Sequence, residues 1–130
     1  MIRNLLSIII LSWLFVPLAY SFPNEISPVD AKQLFEKGKG VIIDVREKSE
    51  VDLGMAKSAL WYPKSSIDND FDGFKAFLAS YLSKNIILYC RSGHRASLVI
   101  EKLAKDNIKA LNMLGYQGWV DAGLPIKQSP

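Results

Sequence analysis

Residues 86–97 read IILYCRSGHRAS, an apolar run that ends at a cysteine and continues into a polar loop. The β-branched and aromatic residues of this run are typical of a buried strand. The loop extends from Cys90 to Arg95, and the apolar spacing from Ala96 to Asn107 is that of an amphipathic helix. The stretch therefore predicts a strand, a tight loop and a helix, with the cysteine at the carboxyl end of the strand.

The same alternation of strands and helices continues on both sides of this stretch. Apolar runs predict further strands at 41–45, 59–62 and 110–114, and helical spacing predicts helices at 28–37, 71–82 and 116–122. Residues 64–72 are polar and are expected to form a loop. Because such alternation produces parallel sheets, we predict an α/β fold with a mainly parallel five-stranded sheet and helices on both faces. Ligands of such sheets bind beyond the carboxyl ends of the strands, where Cys90 is expected to lie.

Composition limits the kinds of protein that this chain can be. It has 130 residues, 49% of them apolar, and a formal net charge of +3. These values indicate one compact domain and exclude a disordered tail. The charge is too balanced for the basic face that nucleic-acid binding requires. With one cysteine and one histidine, the chain cannot form an internal disulfide or a Cys-cluster zinc site, and most other metal sites are excluded as well.

Residues 1–21 have the parts of a secretory signal peptide. Arg3 provides a positive start, residues 5–16 are apolar, and small residues precede the expected cleavage site after Ser21. The apolar run is shorter than the ~20 residues of a membrane-spanning helix, although an uncleaved N-terminal anchor is the alternative. We therefore expect an exported domain of residues 22–130 without stable membrane association after cleavage. It would be periplasmic in a two-membrane bacterium and otherwise secreted.

The loop after the predicted strand has features that favour a nucleophilic thiolate at Cys90. Gly93 can take a positive φ, which allows successive N–H groups to turn toward the sulfur. The N-terminus of the next helix adds positive charge, and positive surroundings stabilise a thiolate. We therefore take Cys90 as the catalytic residue, provided that solvent can reach its thiol. The alternative is a buried, inert cysteine that serves as a small hydrophobe.

The residues after Cys90 predict an anion site. Two arginines near a helix N-terminus are unfavourable unless an anion is bound there. The expected substrate-binding residues are Arg91, Ser92, Gly93, His94 and Arg95. Alternatives stay open for four of these residues. Arg91 and Arg95 bind the anion or are ordinary solvated charges at a helix start. Ser92 donates its hydroxyl to the anion or satisfies the loop backbone, and His94 acts as a general base or tunes the local field.

Four motifs, taken together, resemble the single-domain rhodaneses, which are sulfurtransferases. The run from Ile86 to Ser97 is similar to the family's active-site strand, loop and helix. Three other stretches match in the family's order. Residues 41–47 are similar to the family's strand that ends in Asp-Val-Arg, and residues 50–59 to its segment Glu-aromatic-x-x-Gly-His-Ile-x-x-Ala. Residues 114–125 are similar to its closing pattern of Gly-Gly, Trp and Gly-x-Pro. The resemblance covers about residues 27–127.

Departures from the family are confined to one of these stretches. Met55 stands where the family usually has histidine, and Val51 and Ala56 are also unusual. We expect these changes to alter stability or a partner surface and not to touch the active-site loop.

The resemblance implies a thiosulfate or persulfide sulfurtransferase that needs no cofactor. Cys90 would take a sulfur from a small anionic donor as a persulfide, and cyanide or a thiol would then accept it. Asp44 and Arg46 would brace the active-site side of the sheet through polar contacts. The alternative for these two residues is an ordinary turn pair at a strand end.

Two alternatives to a sulfurtransferase stay open. Phosphatases and arsenate reductases of the related dual-specificity type have five residues between their cysteine and arginine. Here four residues separate Cys90 from Arg95, and the smaller loop suits a sulfur atom better than a phosphate. The second alternative is a non-enzymatic sulfur carrier, thiol sensor or interaction module, because a fold alone does not determine function.

Overall fold

The structure is a computed structural model that describes residues 24–130. The signal peptide predicted over residues 1–21 lies outside the described residues. Within the part that is described, no helix is long and apolar enough to cross a membrane.

Helices and strands alternate along the described chain. The helices are α1 (Pro28–Glu36), α2 (Lys48–Val51), α3 (Lys64–Asn69), α4 (Phe71–Leu78), α5 (His94–Ala104) and α6 (Tyr116–Asp121), with a 3-10 turn at Ala79–Tyr81. The strands are β1 (Gly40–Asp44), β2 (Met55–Ala56), β3 (Ala59–Trp61), β4 (Asn85–Cys90), β5 (Ala110–Gly115) and β6 (Ile126–Lys127). This order confirms the predicted α/β fold.

The main sheet has the strand order β3-β1-β4-β5, and all of its pairs are parallel. Among the described residues it contains four strands, so the predicted number of five is wrong. Beside β5, Glu25 forms only an isolated bridge with Asn112. The chain cannot continue there as a strand because it turns into α1 at Pro28, whose nitrogen carries no hydrogen to donate. A separate antiparallel pair joins β2 to β6.

Helices cover both faces of the sheet, because neighbouring residues of a strand point to opposite sides. On one face, α3, α4 and α5 pack on a cluster whose members include Ile43, Leu88, Ile67, Phe74 and Leu103. On the other face, α1 and α6 pack on a cluster whose members include Ile42, Ile87, Ala31 and Trp119. The central strands β1 and β4 are therefore buried on both sides, as near-continuous apolar runs in parallel sheets usually are.

Three elements differ from their predicted form. The helix predicted over 71–82 ends at Leu78 and is followed by the 3-10 turn. Residues 64–69 form the helix α3 where a loop was expected. The sequence did not indicate this helix because it buries a single side chain, Ile67, and so shows no apolar period. Helix α5 begins at His94 and not at Ala96. The earlier start follows from Gly93, which adopts a φ of 95° and whose carbonyl accepts a helical hydrogen bond from the Ser97 N–H.

The core packing predicts the effect of a truncation in α4. Phe74 is fully buried, and its ring centroid lies 4.9 Å from that of Tyr62. We expect Phe74→Ala to lower the free energy of unfolding by about 3–5 kcal/mol, measured by urea denaturation, because it leaves a cavity. The control is Leu53→Ala, since Leu53 is 86% exposed and its loss should cost under about 0.5 kcal/mol. A loss for Phe74→Ala as small as that of the control would contradict this core.

Candidate active site

The carboxyl ends of the parallel strands bring the predicted site residues to one edge of the sheet. Asp44 ends β1, Cys90 ends β4 and Gly115 ends β5. The pairing register places Asp44 opposite Tyr89, and Cys90 opposite Gly115. This edge is where open α/β sheets bind their ligands.

The thiol of Cys90 lies against the backbone of the loop. Its Sγ accepts a hydrogen bond from the Gly93 N–H at 3.1 Å. Gly93 has a φ of 95°, a conformation that glycine adopts without steric cost. A Cβ at this position would also lie 3.0 Å from Cδ2 and 3.1 Å from Cα of Leu114. The inward direction of this N–H group therefore depends on a residue without a side chain.

Cys90 is a free cysteine with 0% exposure. It belongs to the apolar cluster on the α5 face of the sheet. Arg91, Ser92 and His94 are exposed on the loop and at the start of α5. The thiol is thus beneath a surface loop, and the expected access of solvent to it is not present in this conformation.

Arg95 is held by a carboxylate and is not a free cation. Its guanidinium donates two hydrogen bonds to Glu50 of α2, from Nη1 to Oε1 at 2.7 Å and from Nη2 to Oε2 at 2.8 Å. These hydrogen bonds lower the pKa of Glu50 and raise the pKa of Arg95. Glu50 opens the 50–59 stretch, so this stretch contacts the loop through a residue that is not one of the three departures from the family. The two residues are 45 positions apart in sequence, and no local pattern joins them.

Asp44 and Arg46 form a buried ion pair beside the same strand ends. Arg46 donates from Nε to Oδ1 at 3.0 Å and from Nη2 to Oδ2 at 2.8 Å, and Nη2 also donates to the carbonyl of Gly54. Burial lowers the pKa of Arg46, but its hydrogen bonds and charge interaction with Asp44 outweigh this effect and raise it. The guanidinium lies 4.2 Å from the ring centroid of Tyr116 and 5.7 Å from that of Tyr89. The Asp44–Arg46 pair therefore packs against Tyr89, the residue before Cys90.

The other predicted loop residues have distinct surroundings. The Ser92 Oγ accepts a hydrogen bond from the His94 N–H at 3.3 Å, so this hydroxyl serves the loop backbone here. The Arg91 carbonyl lies so close to Gly115 that a Cβ there would be 2.3 Å away. Of the loop's charged or ionisable side chains, those of Arg91 and His94 are exposed, whereas that of Arg95 is partly buried.

Two polar residues outside the predicted set also touch this region. Besides Glu50, Asn112 of β5 donates from its side chain to the Gly93 carbonyl at 3.0 Å. Asn112 is a buried polar residue within an otherwise apolar strand. The single asparagine in the otherwise apolar sequence ALNMLG is the one sequence signal that could have pointed to Asn112.

The Glu50–Arg95 pair predicts a dependence of stability on pH. The pKa of Glu50 is below its ordinary value of 4.5 in the folded state, so the folded state binds fewer protons and stability falls as pH falls through this range. At neutral pH we expect Glu50→Gln to cost about 1 kcal/mol of unfolding free energy, because the pair is only partly buried. The cost should vanish in acid below the folded pKa.

Urea denaturation over a range of pH measures this difference. The matched control is Glu101→Gln, which alters an exposed carboxylate of α5. Equal pH profiles for the Glu50 and Glu101 variants would contradict the assignment of the acid-sensitive stability to the Glu50–Arg95 pair.

Comparison with known proteins identifies relatives of this arrangement. The chain is 30% identical over 95 residues to a Schizosaccharomyces pombe protein named "Putative thiosulfate sulfurtransferase, mitochondrial". The match covers 67% of this chain and 66% of that protein, so the chain spans just under two thirds of that relative's length.

Solved structures share the fold. A rhodanese-related protein from Thermoplasma volcanium superposes with a TM-score of 0.68 at 20% identity, over 82% of this chain and 99% of that one. A human single-domain sulfurtransferase superposes with a TM-score of 0.60 at 24% identity, over 75% of this chain and 96% of that one. The family model described as "Rhodanese-like domain" matches residues 27–122. Because this match includes the sheet, the cysteine loop and both ion pairs, the chain belongs to the rhodanese-like domain family.

Proposed function

We propose that this protein is a sulfurtransferase that carries a sulfane sulfur on Cys90. The observation that carries the proposal is the Gly93 N–H that lies 3.1 Å from the Cys90 Sγ, just before the N-terminus of α5. A backbone donor and the positive end of a helix both stabilise negative charge on a sulfur. They would stabilise the thiolate before transfer and the terminal persulfide anion after it.

The reaction takes two steps that share one sulfur atom. In the first, the Cys90 thiolate attacks the outer sulfur of thiosulfate, the donor's S–S bond breaks, and sulfite leaves with the bonding electrons. With a persulfide donor, the leaving group is a thiolate. In the second, cyanide or a thiolate attacks the outer sulfur of the Cys90 persulfide and releases Cys90 as a thiolate. Two half-reactions through a covalent intermediate produce ping-pong kinetics.

Recognition of the donor would begin at Arg91. This side chain is exposed on the loop, one residue after Cys90 in the sequence, and a guanidinium binds anionic oxygens through paired hydrogen bonds. Arg95 is already held by Glu50, so it would reach a donor only by exchanging that carboxylate for the donor's oxygens. Since Cys90 has 0% exposure, the loop must also move away from the sulfur before the donor can react.

A sulfur carrier is the second candidate, and the same burial favours it. A protein with a covered thiol and an occupied Arg95 could load one sulfur and release it slowly. Steady-state turnover with thiosulfate and cyanide separates the two candidates: repeated turnover supports the transferase. A single loading event without turnover supports the carrier.

The proposed place of action is outside the cytoplasm. This part of the proposal is supported by the signal-peptide pattern of residues 1–21. The intact mass of the mature protein reports whether cleavage occurs after Ser21.

Loading of sulfur can be observed directly by intact-mass spectrometry. We expect the protein to gain the mass of one sulfur atom after incubation with thiosulfate, because Cys90 is the chain's single cysteine. The Cys90→Ser variant should gain nothing, and cyanide should remove the added mass. If the unmodified protein gains no sulfur from thiosulfate or from a persulfide donor, the proposal fails.

Substitution of Arg91 tests donor recognition. We expect Arg91→Gln to raise KM for thiosulfate about 10-fold, equivalent to ~1.4 kcal/mol of lost binding, with a smaller change in kcat. The control is Lys105→Gln, which removes an exposed cation at the opposite end of α5 and should leave KM unchanged. Equal increases in both variants would assign the effect to net charge and contradict a direct role for Arg91.

A further inference from the structure

Strand β5 does not run straight past the active-site cysteine. The register pairs Leu88 with Asn112 and Cys90 with Gly115, so two steps along β4 correspond to three along β5. Leu114, within this β-bulge, has a φ of 67°. That conformation is unfavourable for a leucine and persists only where the surroundings hold it. Bulges beside functional sites commonly redirect the backbone.

The side chain of Asn112 stabilises the bulge through buried hydrogen bonds. Its side chain is fully buried, its Oδ1 accepts a hydrogen bond from the Leu114 N–H at 2.9 Å, and its Nδ2 donates to the Gly93 carbonyl at 3.0 Å. Its own N–H donates to the Asn24 carbonyl, and its carbonyl accepts from the Ile26 N–H. Since all of these groups are engaged, the side-chain amide has little freedom to turn.

The contacts of Asn112 reach the thiol through Gly93. The Gly93 carbonyl accepts from Asn112 and from the Ser97 N–H in the first turn of α5, while the Gly93 N–H donates to Cys90. The bulge also places Gly115 directly beneath the Arg91 carbonyl. Arg91 and Gly93 of the loop therefore both contact Asn112 or the bulge that it stabilises.

We propose that Asn112 is a positioning residue for Cys90. It keeps the Gly93 N–H directed at the sulfur, and so stabilises the thiolate and the persulfide anion that follows. The inference deepens the proposed function and rests on it, because it concerns the same sulfur. A merely structural amide would support the core without influencing the charge state of the thiol.

The pH profile of alkylation separates these roles. The rate at which iodoacetamide modifies Cys90 is measured from acid to alkaline pH, without any sulfur donor. The midpoint of the profile reports how well the thiolate is stabilised, and the alkaline plateau reports access to the thiol. We expect Asn112→Ala to move the midpoint up by about one pH unit, since one charge-assisted hydrogen bond is weakened. The plateau should stay equal or rise, because a looser loop uncovers the sulfur.

Two further variants complete the experiment. Met113→Ala removes the neighbouring buried side chain on the opposite face of the sheet, and it should lower stability without moving the midpoint. Asn112→Ser keeps an acceptor for the Leu114 N–H but is too short to reach the Gly93 carbonyl. It should shift the midpoint as Asn112→Ala does, with a smaller loss of stability, and it is the deciding variant if Asn112→Ala does not fold.

Two results would overturn the inference: an unchanged midpoint in a folded Asn112 variant, or an equal shift in Met113→Ala. The profile is independent of sulfur transfer. A protein that gains no sulfur from any donor refutes the proposed function, whereas the midpoints alone decide the role of Asn112.

Discussion

The hydrogen bond between the Gly93 N–H and the Cys90 sulfur depends on a backbone direction that the loop cannot maintain alone. Gly93 has a positive φ, and Leu114 lies where a Cβ on Gly93 would point. The loop therefore packs between β4, whose last residue is Cys90, and the bulge of β5. The geometry at the sulfur is thus a property of two adjacent parallel strands and the start of one helix.

Two ion pairs flank this loop and differ in what their loss would leave behind. Asp44 and Arg46 are buried together, so removal of one partner would strand a charge away from water. Glu50 and Arg95 are partly exposed, and either group could be satisfied by water or by another ion. The first pair is suited to a permanent brace. The second is suited to exchange, which is what a donor anion would require of Arg95.

Local patterns predicted the parts of the fold that have a clear period. Apolar β-branched runs identified β1 and β4, and helical spacing identified α5 after the cysteine loop. Elements without such a signal were missed: α3 buries only Ile67, and β2 and β6 have two residues each. The predicted number of strands was also wrong. Whether Glu25 belongs to a fifth strand beside β5 depends on where the chain turns into α1, which local spacing does not show.

The sequence by itself determined the order of those strands and helices that have a clear apolar period, and the position of Cys90 at a strand end, since both follow from residue type and near-neighbour spacing. Only the tertiary structure decided that the thiol is covered, that Arg95 is paired with Glu50, and that Asn112 supports the loop. The last two contacts join residues 45 and 19 positions apart. Their formation depends on how the sheet and helices pack, and a periodic pattern carries no information about which distant polar groups that packing brings together.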